Sequence, residues 1–187
     1  ALTGLTAAGV DPLRLQRWFL THLHADHSAE LVPLLFALRH GRSARAPFCL
    51  VGPAGLRGLV DRIVEAWPSV RPDYELQVEE VAGGTVLDAP LRVTAHPVHH
   101  GDHAALGFRV EDQMTGRTCA FTGDSGPGPG LIELARGVDL LIAECGDGLL
   151  PGRGRHLDVA SLSRLVEDAN VGRVAVIHVE HYVSGLP

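Results

Sequence analysis

Lysine is absent from this chain of 187 residues, so all 16 basic residues are arginine. Set against 22 acidic residues they leave a net charge of −6. That balance argues against a general nucleic-acid binder relying on a basic surface, although a local arginine patch can still hold a phosphate. Cysteine is scarce. Cys49, Cys119 and Cys145 are odd in number and widely spaced, with no CxxC pair and no dense disulfide framework, which points to a reducing cytoplasm. No apolar stretch reaches the roughly 18 residues needed to span a bilayer. The N-terminal ALTGLTAAGV has neither the basic nor the apolar region of a signal peptide. It also lacks an initiator methionine, so the expectation is a processed chain or a piece of a longer one. Internal repeats, low-complexity runs and linkers rich in Pro, Gly or Ser are missing too, so residues 1–187 are expected to form a single domain.

What the chain does have is the balance of a globular protein, 45% apolar and 20% charged residues, and 11 histidines, most of them clustered. Hydrophobic patterning alternates strand and helix, the signature of an α/β fold. Strands are expected over 15–20, 48–51, 74–81, 91–95, 105–110, 118–121, 139–143 and 174–177. Helices are expected over 28–39, stopped by Gly41, over 53–67, ended by Pro68, and over 131–135. Another follows Asp158, with Val159, Leu162, Leu165, Val166 and Ala169 in one apolar stripe. The strands at 105–110 and 118–121 are expected to form a hairpin with Gly116 at its turn. His22, His99 and His100, Asp124, Glu144 and His178 each fall at or just past the end of an apolar strand. Strand ends on one rim of a sheet converge, and a rigid scaffold holds the groups placed there.

The densest chemistry lies in His22-Leu23-His24-Ala25-Asp26-His27. Three imidazoles and a carboxylate in six residues suit borderline divalent ions such as zinc. Residues two apart in an extended segment face the same side, so His22 and His24 can grip one ion. Asp26 and His27, where the chain turns into the next helix, can face a second.

THLHADH, over residues 21–27, resembles the signature of the metallo-β-lactamase superfamily of metallohydrolases. Later motifs follow in the order that superfamily implies, over nearly the whole chain. Within it the sequence is most similar to the ribonuclease Z and related phosphodiesterase branch. The supporting segments are LGFRV after a His cluster, FTGDS, LLIAEC, HLDVASLSRLVEDANVGRVAVIHV, and the Asp26 that follows the second His. The resemblance implies an α/β four-layer αβ/βα sandwich. Because the family opens with a β-hairpin region before this motif, part of the N-terminal half-sheet is expected to be missing. It implies a hydrolase using a dinuclear metal-activated hydroxide, with two divalent metal ions, zinc first and manganese or iron as alternatives. It also implies that Asp124 bridges both ions and that His178 completes the second site alongside Asp26 and His27.

The remaining ligand comes from VHHGDH. The family position six residues before Gly107 is Gly101 here, and a one-residue difference in loop length favours His100, with His99 and His103 left open. The resemblance to the ribonuclease Z branch also implies that Glu144 and His156 form a pair that protonates the leaving group, and Asp26 can orient the attacking water or accept its proton. A carboxylate on one ring nitrogen fixes the tautomer and keeps an imidazolium available as an acid. His40, His96 and His181 have no motif support and read as surface or packing residues.

The family's tRNA-processing members carry a long Gly/Pro-rich arm where this chain has only Glu111 to Arg117. With the negative charge, this favours a small or cyclic phosphodiester, or a nucleic-acid end, as substrate. If the chain is complete, a homodimer covering an open sheet edge is one route to stability. Two competing readings stand beside the phosphodiesterase. One is a superfamily hydrolase of a thioester, lactone, sulfate ester or β-lactam; the other is a metal-binding fragment without turnover.

Overall fold

A computed structural model describes residues 2–41, 47–149 and 154–179. The chain divides into two compact units, Ala1–Val81 and Ala82–Pro187. His181 lies outside the described residues.

The first unit opens with α1 (Leu2–Ala7) and then builds a parallel sheet of β1 (Arg17–Phe19), β2 (Phe48–Gly52) and β3 (Leu76–Glu80), in that order. Parallel neighbours require long crossovers, which the helices supply. The first crossover holds α2 (Ala25–Ser28) and α3 (Leu31–Gly41), and the second holds α4 (Leu56–Ala66). β2 is central and buried at all of its residues, which is why it reads as an unbroken apolar run. α3 buries Leu31, Leu34, Leu35 and Leu38, the i, i+3, i+4, i+7 stripe of a helix lying on a core. α4 buries Leu56, Val60 and Ile63, and the Glu80 carboxylate accepts from the backbone N–H groups of Gly55 and Arg57 at its start. These side chains meet Leu20, Phe48, Leu50, Val70 and Val78 in one core. Leu35→Ala is expected to cost about 2–5 kcal/mol, read as a fall in the urea unfolding midpoint, because the side chain is fully buried.

The second unit is a six-stranded sheet in sequence order: β4 (Gly84–Asp88), β5 (Leu91–His100), β6 (His103–Asp112), β7 (Thr118–Phe121), β8 (Leu140–Glu144) and β9 (Val174–Ile177). The pairs from β4 to β7 are antiparallel, and β7, β8 and β9 run parallel through α5 (Pro129–Ala135) and α6 (Val159–Asp168). β5 and β7 both oppose β6, so β5, β7, β8 and β9 all point the same way. Their C-terminal ends share one rim. That rim carries His100, Asp124, Glu144 and His178, as the strand-end pattern predicts. Below it, Ala120, Leu131, Leu134, Leu141, Ala143, Leu157, Leu162 and Leu165 form the core. Asp158 caps α6 reciprocally with Ser161.

The strands at 118–121 and 174–177 and the turn at Gly116 fall where expected. Other elements differ, and α1 has no counterpart in the sequence reading. β4 has no counterpart in the sequence reading, because two glycines and a following proline make its segment look like a loop and only pairing with β5 holds it extended. β5 and β6 run on to His100 and His103, since the ladder carries polar histidines past the apolar stretch. The helix expected from 28 starts at Leu31, after the separate turn of α2. Among the described residues no helix is long and apolar enough to cross a membrane.

Candidate functional site

In the first unit the chain leaves β1 with the Leu20 N–H bonded to the Val51 carbonyl, which keeps the following residues against β2. His22 is completely buried, and its Nδ1 lies 3.2 Å from the Thr21 hydroxyl. Its Nε2 lies 3.1 Å from His24 Nδ1, with the rings nearly perpendicular. Two nitrogens each ~2.0–2.1 Å from one tetrahedral ion stand about 3.3 Å apart, so this pair is set to within a few tenths of an ångström for a shared cation. The His27 ring sits 4.2 Å from that of His22, and its Nε2 is 3.2 Å from an oxygen of the exposed Asp26. The Ser28 hydroxyl donates to the carbonyls of Leu23 and His24 and braces the turn that carries them.

In the second unit the rim gathers the other set. His100 is buried, and its Nδ1 lies 2.9 Å from the Arg155 carbonyl oxygen. A carbonyl can only accept, so Nδ1 carries the proton and Nε2 keeps its lone pair, the form a metal-ligating imidazole takes. His99 and His103 are exposed, so burial separates His100 from its two alternatives. Asp124 is buried in the loop after β7, with its Oδ2 3.6 Å from His178 Nε2. His178 directly follows β9 at φ +47, a left-handed conformation uncommon for a bulky side chain and found where a surrounding structure enforces it.

His156 stacks on His178, with ring centroids 5.7 Å apart, and meets the His100 ring edge-on at 5.0 Å. Ligand atoms of His100, Asp124 and His156 lie within 4.8 Å of one another, as do those of Glu144, His156 and His178. In each unit the donor atoms, their spacing and the tautomer enforced at His100 fit a divalent cation.

Glu144 is 1% exposed and ties three loops together. Its Oε1 accepts from Ser125 N at 2.9 Å, Leu157 N at 3.2 Å and the His156 ring Nδ1 at 3.0 Å, while Oε2 accepts from Gly146 N. The hydrogen bond that the ring donates to this carboxylate raises the His156 pKa above the ordinary imidazole value, against a burial that pulls it down. Glu144→Gln preserves volume but turns an acceptor oxygen into an amide facing N–H groups. An expected loss of about 3–5 kcal/mol follows, measured by urea unfolding. An unchanged midpoint would show that the carboxylate does not organise these loops.

Other contributors carry no signal in the sequence. The Thr21 hydroxyl sits on a ligand-type histidine, and Arg155 acts on His100 through its backbone, where residue type is silent. Ser125 is fully buried, and its hydroxyl has no hydrogen-bond partner among the described residues. His40 is exposed and lies against Phe36, and His96 is half-buried on β5; neither joins the rim group.

The family of beta-lactamase superfamily domains matches residues 10–179. Ribonuclease BN of Escherichia coli (strain K12) is 26% identical over 226 aligned positions, which cover 90% of this chain and 72% of that protein. Among solved structures, the crystal structure of human tRNase Z, short form, gives a TM-score of 0.79 at 22% identity, covering 95% of this chain and 77% of that one. The metallo-β-lactamase fold protein YhfI from Bacillus subtilis gives 0.76 at 21% identity, covering 97% and 71%.

Proposed function

The chain belongs to the metallo-β-lactamase superfamily of hydrolases, and on that premise we propose that it is a metal-dependent phosphodiesterase similar to ribonuclease Z. We assign His22, His24, Asp26, His27, His100, Asp124 and His178 as ligands of two divalent ions, zinc first and manganese or iron as alternatives. When bound, such ions supply Lewis acidity toward phosphoryl oxygens and acidify the water that attacks.

The chain's own residues do the rest. Asp26 takes the proton of the attacking water. His156 gives a proton to the departing oxygen from Nε2, because Glu144 occupies Nδ1 and fixes the ring. The observation that carries this reading is that 3.0 Å pair beside Asp124 and His178. Superfamily membership supplies the second support.

Substrate size follows from the connection between β6 and β7. Residues 113–117 suffice to join them, which leaves no gripping arm at that point. With a net charge of −6, a small or cyclic phosphodiester or a nucleic-acid end is favoured over a whole structured RNA. The odd, widely spaced cysteines support a reducing compartment such as the cytoplasm as its location.

The test is hydrolysis of bis-p-nitrophenyl phosphate after chelation and again after adding back zinc or manganese, with the metal content measured alongside. Turnover lost on chelation and regained at about two ions per chain is the expected result. Fully loaded protein that cleaves no phosphodiester overturns the proposal. Cleavage of an ester or thioester alone would move the chain to another hydrolase class within the superfamily.

A further inference from the structure

We propose that Arg155 determines specificity by binding a second phosphate of the substrate, adjacent to the one that reacts. The inference deepens the phosphodiesterase reading and rests on it. The first observation is placement. The Arg155 side chain lies across the turn between β5 and β6, so close that a Cβ added to Gly101 would sit 3.2 Å from Arg155 Nε. Gly101 has φ +62, which suits glycine, and the absent side chain leaves the guanidinium its seat.

The second observation is rigidity. Arg155 stands in a segment fixed at several points to the rim. Its own carbonyl accepts from His100, the Leu157 N–H is bonded to Glu144, and Gly154 packs backbone to backbone against Gly126. A Cβ at Gly126 would drive into the Gly154 carbonyl, so glycine is required there. Because the main chain is pinned, the side chain springs from a defined point rather than from a wandering loop.

The third observation is what the guanidinium lacks. It is exposed, and among the described residues it has no hydrogen bond and no ion pair. Arginines that serve a fold usually reach carbonyls or carboxylates. Arg109 does so here, with bonds to the carbonyls of Leu134 and Arg136. Toward the described residues Arg155 keeps its planar fork of donors unspent, in a chain of net charge −6 where a fixed cation stands out.

Direction then assigns the role. His156 turns its ring to Glu144, whereas its neighbour Arg155 turns toward the hairpin. The cation therefore stands beside the position served by the acid, not on it. A phosphate next to the scissile one meets that fork bidentately, and such a group is either a terminal phosphomonoester or the next diester of a strand.

Calorimetric titration of the zinc-loaded protein with three ligands tests the assignment. These are thymidine 5′-monophosphate, thymidine 3′,5′-bisphosphate and the 5′-phosphorylated dinucleotide pTpT. The wild type is expected to prefer a doubly phosphorylated ligand about fivefold, the size of one well-placed but solvent-exposed ion pair. A preference confined to the bisphosphate identifies a terminal phosphomonoester, and one shared by pTpT identifies a strand phosphate. In Arg155→Ala the preference falls to parity, and in Arg155→Lys it is partly restored. Equal binding of all three by the wild type overturns the proposal, and so does a preference that survives in Arg155→Ala. Because these are binding measurements, an intact preference in a protein that cleaves no phosphodiester would refute the catalytic reading while leaving this one in place.

Discussion

Asp124→Ala is expected to lower phosphodiester hydrolysis by at least about 10³-fold, a loss of roughly 4 kcal/mol in transition-state stabilisation. The carboxylate is buried in the loop after β7, with His178 Nε2 3.6 Å away, and carries the negative charge that a cation at this rim requires. Under the proposed assignment, removing it takes away one of two anionic donors and leaves Asp26 with the histidines. Bound metal per chain is expected to fall in parallel, measured by elemental analysis. Asp124→Asn retains the shape without the charge and separates the two contributions, since a purely steric role would leave it near wild-type activity. Both variants should keep their thermal midpoint within a few degrees. A folded Asp124→Ala protein with more than about a tenth of wild-type activity would remove Asp124 from the chemistry.

His156→Ala should slow cleavage of substrates with an alkoxide leaving group by about 10²–10⁴-fold, the usual reach of a positioned general acid. The same change should matter far less for p-nitrophenyl esters, whose departing phenolate needs little protonation. That contrast is diagnostic. Loss of a structural residue, or of a metal ligand, depresses both classes together, whereas loss of a proton donor depresses the poor leaving group selectively. Comparing kcat for bis-p-nitrophenyl phosphate with kcat for an alkyl diester of the same nucleotide reads it out. Equal losses on both would remove His156 as the proton donor, and a matching fall in bound metal would assign it to metal binding, a role that its ligand-type spacing to His100 and Asp124 also permits.

Much of the fold is legible before any coordinates. The buried strand Phe48–Gly52, the stripe of α3 and the capped α6 follow from apolar periodicity and from the Asp158 cap, which act over a few residues. β4 is not legible, because Gly84 and the preceding Gly83 have no preference for an extended backbone until β5 supplies the partner. The last turn of the β5–β6 hairpin is hidden in the same way. His99 and His100 are polar, and no periodicity announces that they remain in the ladder.

The sequence by itself determines which donor groups exist and where the chain offers them: HxHxDH after β1, Asp124 after β7, Glu144 closing β8 and His178 after β9. These follow from strand patterning and ligand chemistry within short windows, and with the order of motifs they place the chain in its superfamily. Only the tertiary structure decides how those groups are oriented. It buries His100 and exposes its two neighbours, makes Glu144 the shared acceptor of three loops, and pins Arg155 beside Gly101. The reason is distance along the chain. The contact that sets the His100 tautomer joins residues 55 apart, and the one that orients His156 joins residues 12 apart. Hydrogen bonds of that span come into being only once the sheet has brought its strand ends to a common rim.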